Sequence, residues 1–243
     1  MPSPASYILC GTPRTGSTFL CSLLSSTGVL GHPESYFREP DEAMWAERFG
    51  LAVSGGRVLD YRAFAASARA TGSTRNGVFA ARIMWGSLER LLLGLDHPSA
   101  LSGLAVMEET FGPLAFVHLR REGQLEQAVS WCRAEHTGYW QHGDIASKPV
   151  QLDLDGLKGC LSEIQAHNAA WQDWFQAQAI EPLVVTYEEA VSEPRTAVAD
   201  IARHLSVELP AAWRPRSTHR KQADGVNAAH VAALREALEA ETP

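Results

Sequence analysis

Short apolar runs that stop at glycine or at a charged residue alternate along this chain with longer stretches whose apolar positions recur every three to four residues. Tyr7-Ile8-Leu9-Cys10 is the first such run, and its unbroken hydrophobicity before Gly11 predicts a strand covered on both faces. From Ser17 to Ser26, Phe19, Leu20, Leu23 and Leu24 fall at helical spacing, and Thr27-Gly28 supplies a stop. Gly31 to Pro40, with two prolines, reads as loop, followed by helices at Asp41 to Phe49 and Asp60 to Thr71. Val78 to Trp85 and Leu114 to Leu119 read as a second and third strand, each followed by helix. Glu122 to Glu135 has helical composition, and Asp155 to Gln178 places Leu157, Cys160, Leu161, Ile164, Trp171, Trp174 and Phe175 on or near one stripe. Leu183 to Thr186 after Pro182 is the last strand, and Pro194 to Leu205 a helix with proline near its start.

Strands that alternate with helices need long crossovers, so the expected fold is α/β, with a mainly parallel central sheet flanked by helices in three layers. No repeat or low-complexity linker divides the 243 residues, and the expectation is one domain, with a core at about 5–224 and a C-terminal helix at about 226–241.

Composition narrows the function without naming it. Twenty-one Lys and Arg against 28 Asp and Glu give a formal charge of -7, which removes any global electrostatic case for nucleic acid or an acidic membrane surface. An anion site must therefore be built locally. The four cysteines lack CxxC spacing and read as buried reduced thiols, so the expected compartment is the cytoplasm. The N-terminus lacks the pattern of a signal peptide, and no stretch approaches the ~20 apolar residues of a membrane span. The histidines show no metal-ligand spacing, so no metal is expected.

Gly11-Thr12-Pro13-Arg14-Thr15-Gly16-Ser17-Thr18 follows a predicted strand and opens a predicted helix, the setting in which backbone N–H groups and a helix dipole cradle phosphate. Against the pattern G-x-x-x-x-G-K-[ST], Ser17 stands where a nucleotide kinase has its β/γ-phosphate lysine, which argues against triphosphate chemistry. The cation comes earlier, at Arg14, whose planar fork suits the oxygens of a smaller 5'-anhydride.

Thr12 to Thr18 resembles the 5'-phosphosulfate loop of sulfotransferases that use 3'-phosphoadenosine 5'-phosphosulfate (PAPS). Gly31-His32-Pro33-Glu34-Ser35-Tyr36-Phe37, Asn76-Gly77-Val78 with Arg82-Ile83-Met84-Trp85, Gln127-Ala128-Val129-Ser130-Trp131 and Arg220-Lys221-Gln222-Ala223-Asp224 extend the likeness, in the same order, to the bacterial branch that includes mycobacterial trehalose 2-sulfotransferase. The resemblance implies transfer of a sulfuryl group from PAPS to a hydroxyl of a carbohydrate or glycolipid-like acceptor, without metal, in a homodimer. It implies that Thr12, Pro13, Arg14, Thr15, Gly16, Ser17 and Thr18 hold the 5'-phosphosulfate. Arg121 and Ser130 would hold the 3'-phosphate, and Arg220, Lys221 and Gln222 would close over the nucleotide. Physically, an arginine at a strand's carboxyl end and a hydroxyl on the next helix suit an anion at the crevice of an open sheet.

The acceptor's base is less direct. The branch's motif resembles G-x-P-x-E-[FY]-F, which lays Ser35 on the carboxylate position, one residue after Glu34. Serine is a poor base, so Glu34 or His32 takes the role, or another acceptor and another base are used. Arg82 is a candidate to stabilise the transferring group. Tyr36, Phe37, Trp85, Trp131, Arg133 and His136 are candidates to line the acceptor pocket, because aromatic faces beside hydrogen-bond donors suit a sugar. A non-catalytic nucleotide-binding protein on the same fold is the alternative, and a P-loop nucleotide kinase the third reading.

Overall fold

The computed structural model describes residues 6–95, 102–138, 153–216 and 225–241. β1 (Ser6–Gly11) leads into α1 (Ser17–Ser26), then α2 (Glu39–Arg48), a small hairpin of β2 (Val53–Ser54) and β3 (Arg57–Val58), and α3 (Tyr61–Gly72). There follow β4 (Ala80–Met84), α4 (Trp85–Gly94), α5 (Gly103–Phe111), β5 (Leu114–Arg120), α6 (Gln124–Thr137) and α7 (Leu154–Ala177). β6 (Leu183–Thr186), α8 (Tyr187–Ser192), α9 (Pro194–His204) and α10 (Gly225–Glu241) complete the described chain.

The main sheet has the order β4-β1-β5-β6, and every pairing in it is parallel. Every residue of β1 is buried, which explains why its sequence runs apolar without alternation. Period 2 instead sorts its side chains between two cores. Ile8 and Cys10 face a layer built from α3, α4, α5 and α7 through Phe64, Leu91, Phe111 and Trp171. Tyr7 and Leu9 face α1 and α9 through Leu20, Leu24, Val198 and Ile201. The expected α/β three-layer fold with a mainly parallel sheet is thus present. A third cluster ties α6 to α7 and α10 through Val129, Leu161, Ile164 and Leu234.

β1 pairs with β4 on one side and β5 on the other, so the chain leaves it in both directions. The crevice at such a switch point, outside the carboxyl ends of the strands, is where open α/β sheets take ligands. The glycine loop between β1 and α1 occupies it.

Several boundaries differ from the sequence reading for local reasons. Helix α2 begins at Glu39, inside the expected loop, because a proline in the first turn costs no hydrogen bond. Glu34, also in that expected loop, forms a parallel bridge with Ala81 and so extends the sheet edge. Trp85 opens α4 where a strand residue was expected. Helix α8, absent from the sequence expectation, starts at a capping box formed by Thr186 and Glu189.

Candidate active site

The loop's shape comes from two left-handed residues. Gly16, the N-cap of α1, has φ 78° and Arg14 has φ 64°. For arginine that conformation costs about 1–2 kcal/mol, so the surroundings must hold it. Thr15 Oγ1 donates to Thr12 O at 2.9 Å, and Trp171 Nε1 donates to Gly11 O at 3.0 Å. Gln127 Nε2 donates to both Thr12 Oγ1 and Pro13 O at 2.7 Å. Arg121 Nη1 donates to the carbonyl of Arg14 at 3.1 Å. A β-carbon at Gly16 would lie 2.3 Å from the Tyr187 ring, so only glycine fits there. α1 has no side-chain N-cap and no acidic residue in its first turn, which leaves its leading N–H groups and dipole for an anion.

Three arginines from distant positions converge on this loop. Arg14 Nε donates to Ser130 Oγ at 2.9 Å, which joins the two expected phosphate sites at one contact. Arg121 lies with its guanidinium carbon 4.7 Å from the centre of the Tyr187 ring, and its buried Nε has no hydrogen-bond partner. From β4, Arg82 donates through Nε to Ser35 Oγ at 2.8 Å and through Nη1 to Thr18 Oγ1 at 2.9 Å and Ser17 Oγ at 3.2 Å. Thr12, Thr15 and Ser17 are buried, so the loop's hydroxyls face inward rather than into bulk water.

Ser35 is buried against Arg82, whereas Glu34, one residue earlier, is exposed. Burial pushes the Cys21 thiol up to about 12; the Arg82 guanidinium opposes this and the Glu34 carboxylate adds to it. Cys21 sits one turn into α1, so Arg82 and Glu34 both act on the helix face that follows the loop. Glu34 also adds to the upward shift that burial imposes on Tyr36. His32 is half-buried and is held by its backbone N–H on Gly72 O at 2.8 Å.

Several candidate acceptor residues belong elsewhere. Phe37 is fully enclosed between Phe64 and Phe111, and Tyr36 is buried with its hydroxyl on His32 O. Both are core residues, a correction of the expectation that they line a pocket. Trp131 is corrected likewise: it is 4% exposed in the α6–α7 cluster and donates to Glu135. Arg133 reaches away to Asn227 of α10 at 3.1 Å. Trp85 and His136 keep partial exposure, and Trp85 packs edge-on against Trp171, the residue that anchors Gly11. Arg220, Lys221 and Gln222 lie outside the described residues. Gln127 and Tyr187, which set the loop, are not among the expected site residues, although Gln127 opens the Gln127–Trp131 segment that carries Ser130. No group of three or more His, Cys, Asp or Glu able to hold a metal occurs among the described residues, and no described helix is long and apolar enough to cross a membrane.

A parallel α/β sheet whose switch-point loop carries Arg14 and hydroxyls in place of a P-loop lysine, with Arg82 and Arg121 reaching it from neighbouring elements, suits an anionic ligand. The family model of the Stf0 sulphotransferases matches residues 6–237, and the chain belongs to this family of sulfotransferases. It is 23% identical over 261 residues to the trehalose 2-sulfotransferase of Mycolicibacterium smegmatis, covering 92% of this chain and 98% of that one. It is 24% identical over 204 residues to the trehalose 2-sulfotransferase of Mycobacterium tuberculosis, covering 74% and 76%. The sulfotransferase domain from the curacin biosynthetic pathway shares the fold, with a TM-score of 0.51, 17% identity and coverage of 93% of this chain and 82% of that domain.

Proposed function

We propose that this sulfotransferase moves a sulfuryl group from PAPS to a hydroxyl of a carbohydrate or glycolipid-like acceptor, by in-line displacement and without a metal. The observation that carries the donor assignment is the cationic loop: Arg14 beside Ser130, with Arg121 presenting a buried, unpartnered Nε next to it. An orphaned guanidinium N–H in a part-buried site fits a phosphate oxygen, and the uncapped start of α1 fits a second. Arg14, Gly16, Ser17 and Thr18 would hold the 5'-phosphosulfate and Ser130 with Arg121 the 3'-phosphate. Arg220, Lys221 and Gln222 are assigned by likeness to close over the nucleotide. The sugar acceptor rests on the activity named for the two mycobacterial relatives. A homodimer remains part of the proposal.

In the reaction an acceptor oxygen bonds to sulfur while the bond from sulfur to the 5'-phosphate oxygen breaks, leaving 3'-phosphoadenosine 5'-phosphate (PAP). The acceptor proton passes to a base, and Glu34 is assigned that role. Its exposure leaves it open to an acceptor, and its carbonyl, accepting from Arg82 N at 3.0 Å, fixes it beside β4. Trp85 is the candidate wall for the acceptor.

Calorimetric titration with PAP, with ATP and magnesium as control, tests the donor. PAP binding without magnesium that is lost in Arg14→Ala supports the assignment; binding of ATP alone refutes it. With PAPS and trehalose as first acceptor, Glu34→Gln should lower turnover and leave PAP affinity intact. Unchanged turnover would remove Glu34 as base.

A further inference from the structure

We infer that Ser35 is a positioning residue, whose hydroxyl holds Arg82 so that its guanidinium meets the transferring sulfuryl group. The inference rests on the donor reading above and assigns a use to the position at which the trehalose-type motif carries its carboxylate.

Arg82 is part-buried and is held only along one edge. Its Nε and Nη1 are taken by Ser35, Thr18 and Ser17, and no bond from Nη2 to a described residue is made. All three acceptors are neutral hydroxyls, and Arg82 forms no ion pair among the described residues. The fold can supply a carboxylate where an arginine is structural: the fully buried Glu42 takes Nε and Nη2 of Arg90 at 3.1 and 2.9 Å. At Arg82 a full positive charge instead stands beside the positive end of α1. Two positive features brought together without a carboxylate repel one another, and an anion between them removes the conflict.

The hydroxyls contribute direction as well. A hydroxyl has one donor and two acceptor sites, so Ser17 and Thr18, accepting from Arg82, keep their O–H protons for another partner. A loop anion is the partner their place at the start of α1 offers. Ser35 completes the grip by fixing Nε, which sets the plane of the fork and aims Nη2. Arg82 exchanges no proton in the reaction; it stabilises charge on the sulfuryl oxygens while the S–O bonds form and break.

PAPS and PAP differ by the sulfuryl group alone, so their titration without acceptor, in parallel, isolates this contact. Wild type should bind both. Ser35→Ala should weaken PAPS about tenfold, equivalent to about 1.4 kcal/mol, with PAP changed less than twofold. Ser35→Thr keeps the hydroxyl and should retain both affinities. Unchanged PAPS affinity in Ser35→Ala, or an equal loss of PAPS and PAP, would overturn the clamp while leaving the donor reading intact. Wild type that binds neither nucleotide would overturn the donor reading, and the clamp with it.

Discussion

Replacing Gln127 with leucine removes one amide that serves two loop groups at once. Its Nε2 is the donor to Thr12 Oγ1 and Pro13 O, both at 2.7 Å, and the side chain is fully buried. The amide orientation is fixed by Pro13 O, which can only accept, and this leaves Oε1 without a partner. A buried acceptor stripped of its donor costs about 1–3 kcal/mol; Thr12 Oγ1 is buried, and Pro13 O, in a part-buried bond, loses less. Deleting the orphaned Oε1 and burying an apolar side chain return about 1 kcal/mol. The net loss is about 2 kcal/mol, or about 4–8 °C in Tm for a chain of this size. Arg14 should also relax from φ 64° once the Pro13 carbonyl is freed, so PAP affinity should fall about tenfold. Gln127→Glu keeps the shape, cannot donate, and adds negative charge beneath the anion loop, so it should lose more PAP affinity than leucine. Thermal unfolding and PAP titration of both variants make the test. A Tm within 1 °C of wild type together with unchanged affinity in Gln127→Leu would refute the view that this amide braces the loop.

Gly16→Ala should lose PAP binding at least tenfold, because its β-carbon would lie 2.3 Å from the Tyr187 ring; adding Tyr187→Ala should recover part of the stability but not all, since φ stays at 78°. Equal stability of the double variant and Tyr187→Ala alone would show that the left-handed conformation costs nothing. Burial, with Arg120 adding to it, lowers the His118 pKa to about 4 from 6.5. Between those values the unfolded chain binds a proton that the fold does not, so stability is complete above pH 6.5 and falls on acidification, by up to about 3 kcal/mol. Urea unfolding across pH 4–7 should show a flatter profile in His118→Gln; identical slopes would exclude His118 as the source.

What the sequence disclosed depended on how far apart the cooperating residues lie. The glycine loop was legible because its glycines, hydroxyls and arginine are neighbours, and the strands because burial on both faces leaves unbroken apolar runs. The hairpin β2–β3 was not, because strands of two residues carry no pattern, although Gly55-Gly56 supplies the left-handed turn such a hairpin needs. The grip of Ser35 on Arg82 spans 47 positions and that of Gln127 on Thr12 spans 115. No local rule reports such pairs. Tyr36, Phe37 and Trp131 mislead for a related reason. An aromatic residue beside a motif can face the ligand or the core, and here the second use prevails.

Among the described residues, the proposed anion site holds Arg82 and Arg121 with partners that are not carboxylates. Ser35 and not an acid meets Arg82, an aromatic ring and a backbone carbonyl meet Arg121, and a neutral amide braces the loop from Gln127. Each partner fixes the geometry of the site without neutralising it, and the start of α1 adds positive potential of its own. Other arginines have acidic partners, Arg38 with Asp41, Arg90 with Glu42 and Arg203 with Asp200, while Arg62, Arg69 and Arg214 rest on backbone carbonyls. The mutual repulsion left in the loop is unfavourable in the free protein and is relieved when a multiply charged anion binds. Nucleotide binding should therefore weaken with salt, and an acid introduced at residue 127 should act as an internal competitor for the ligand.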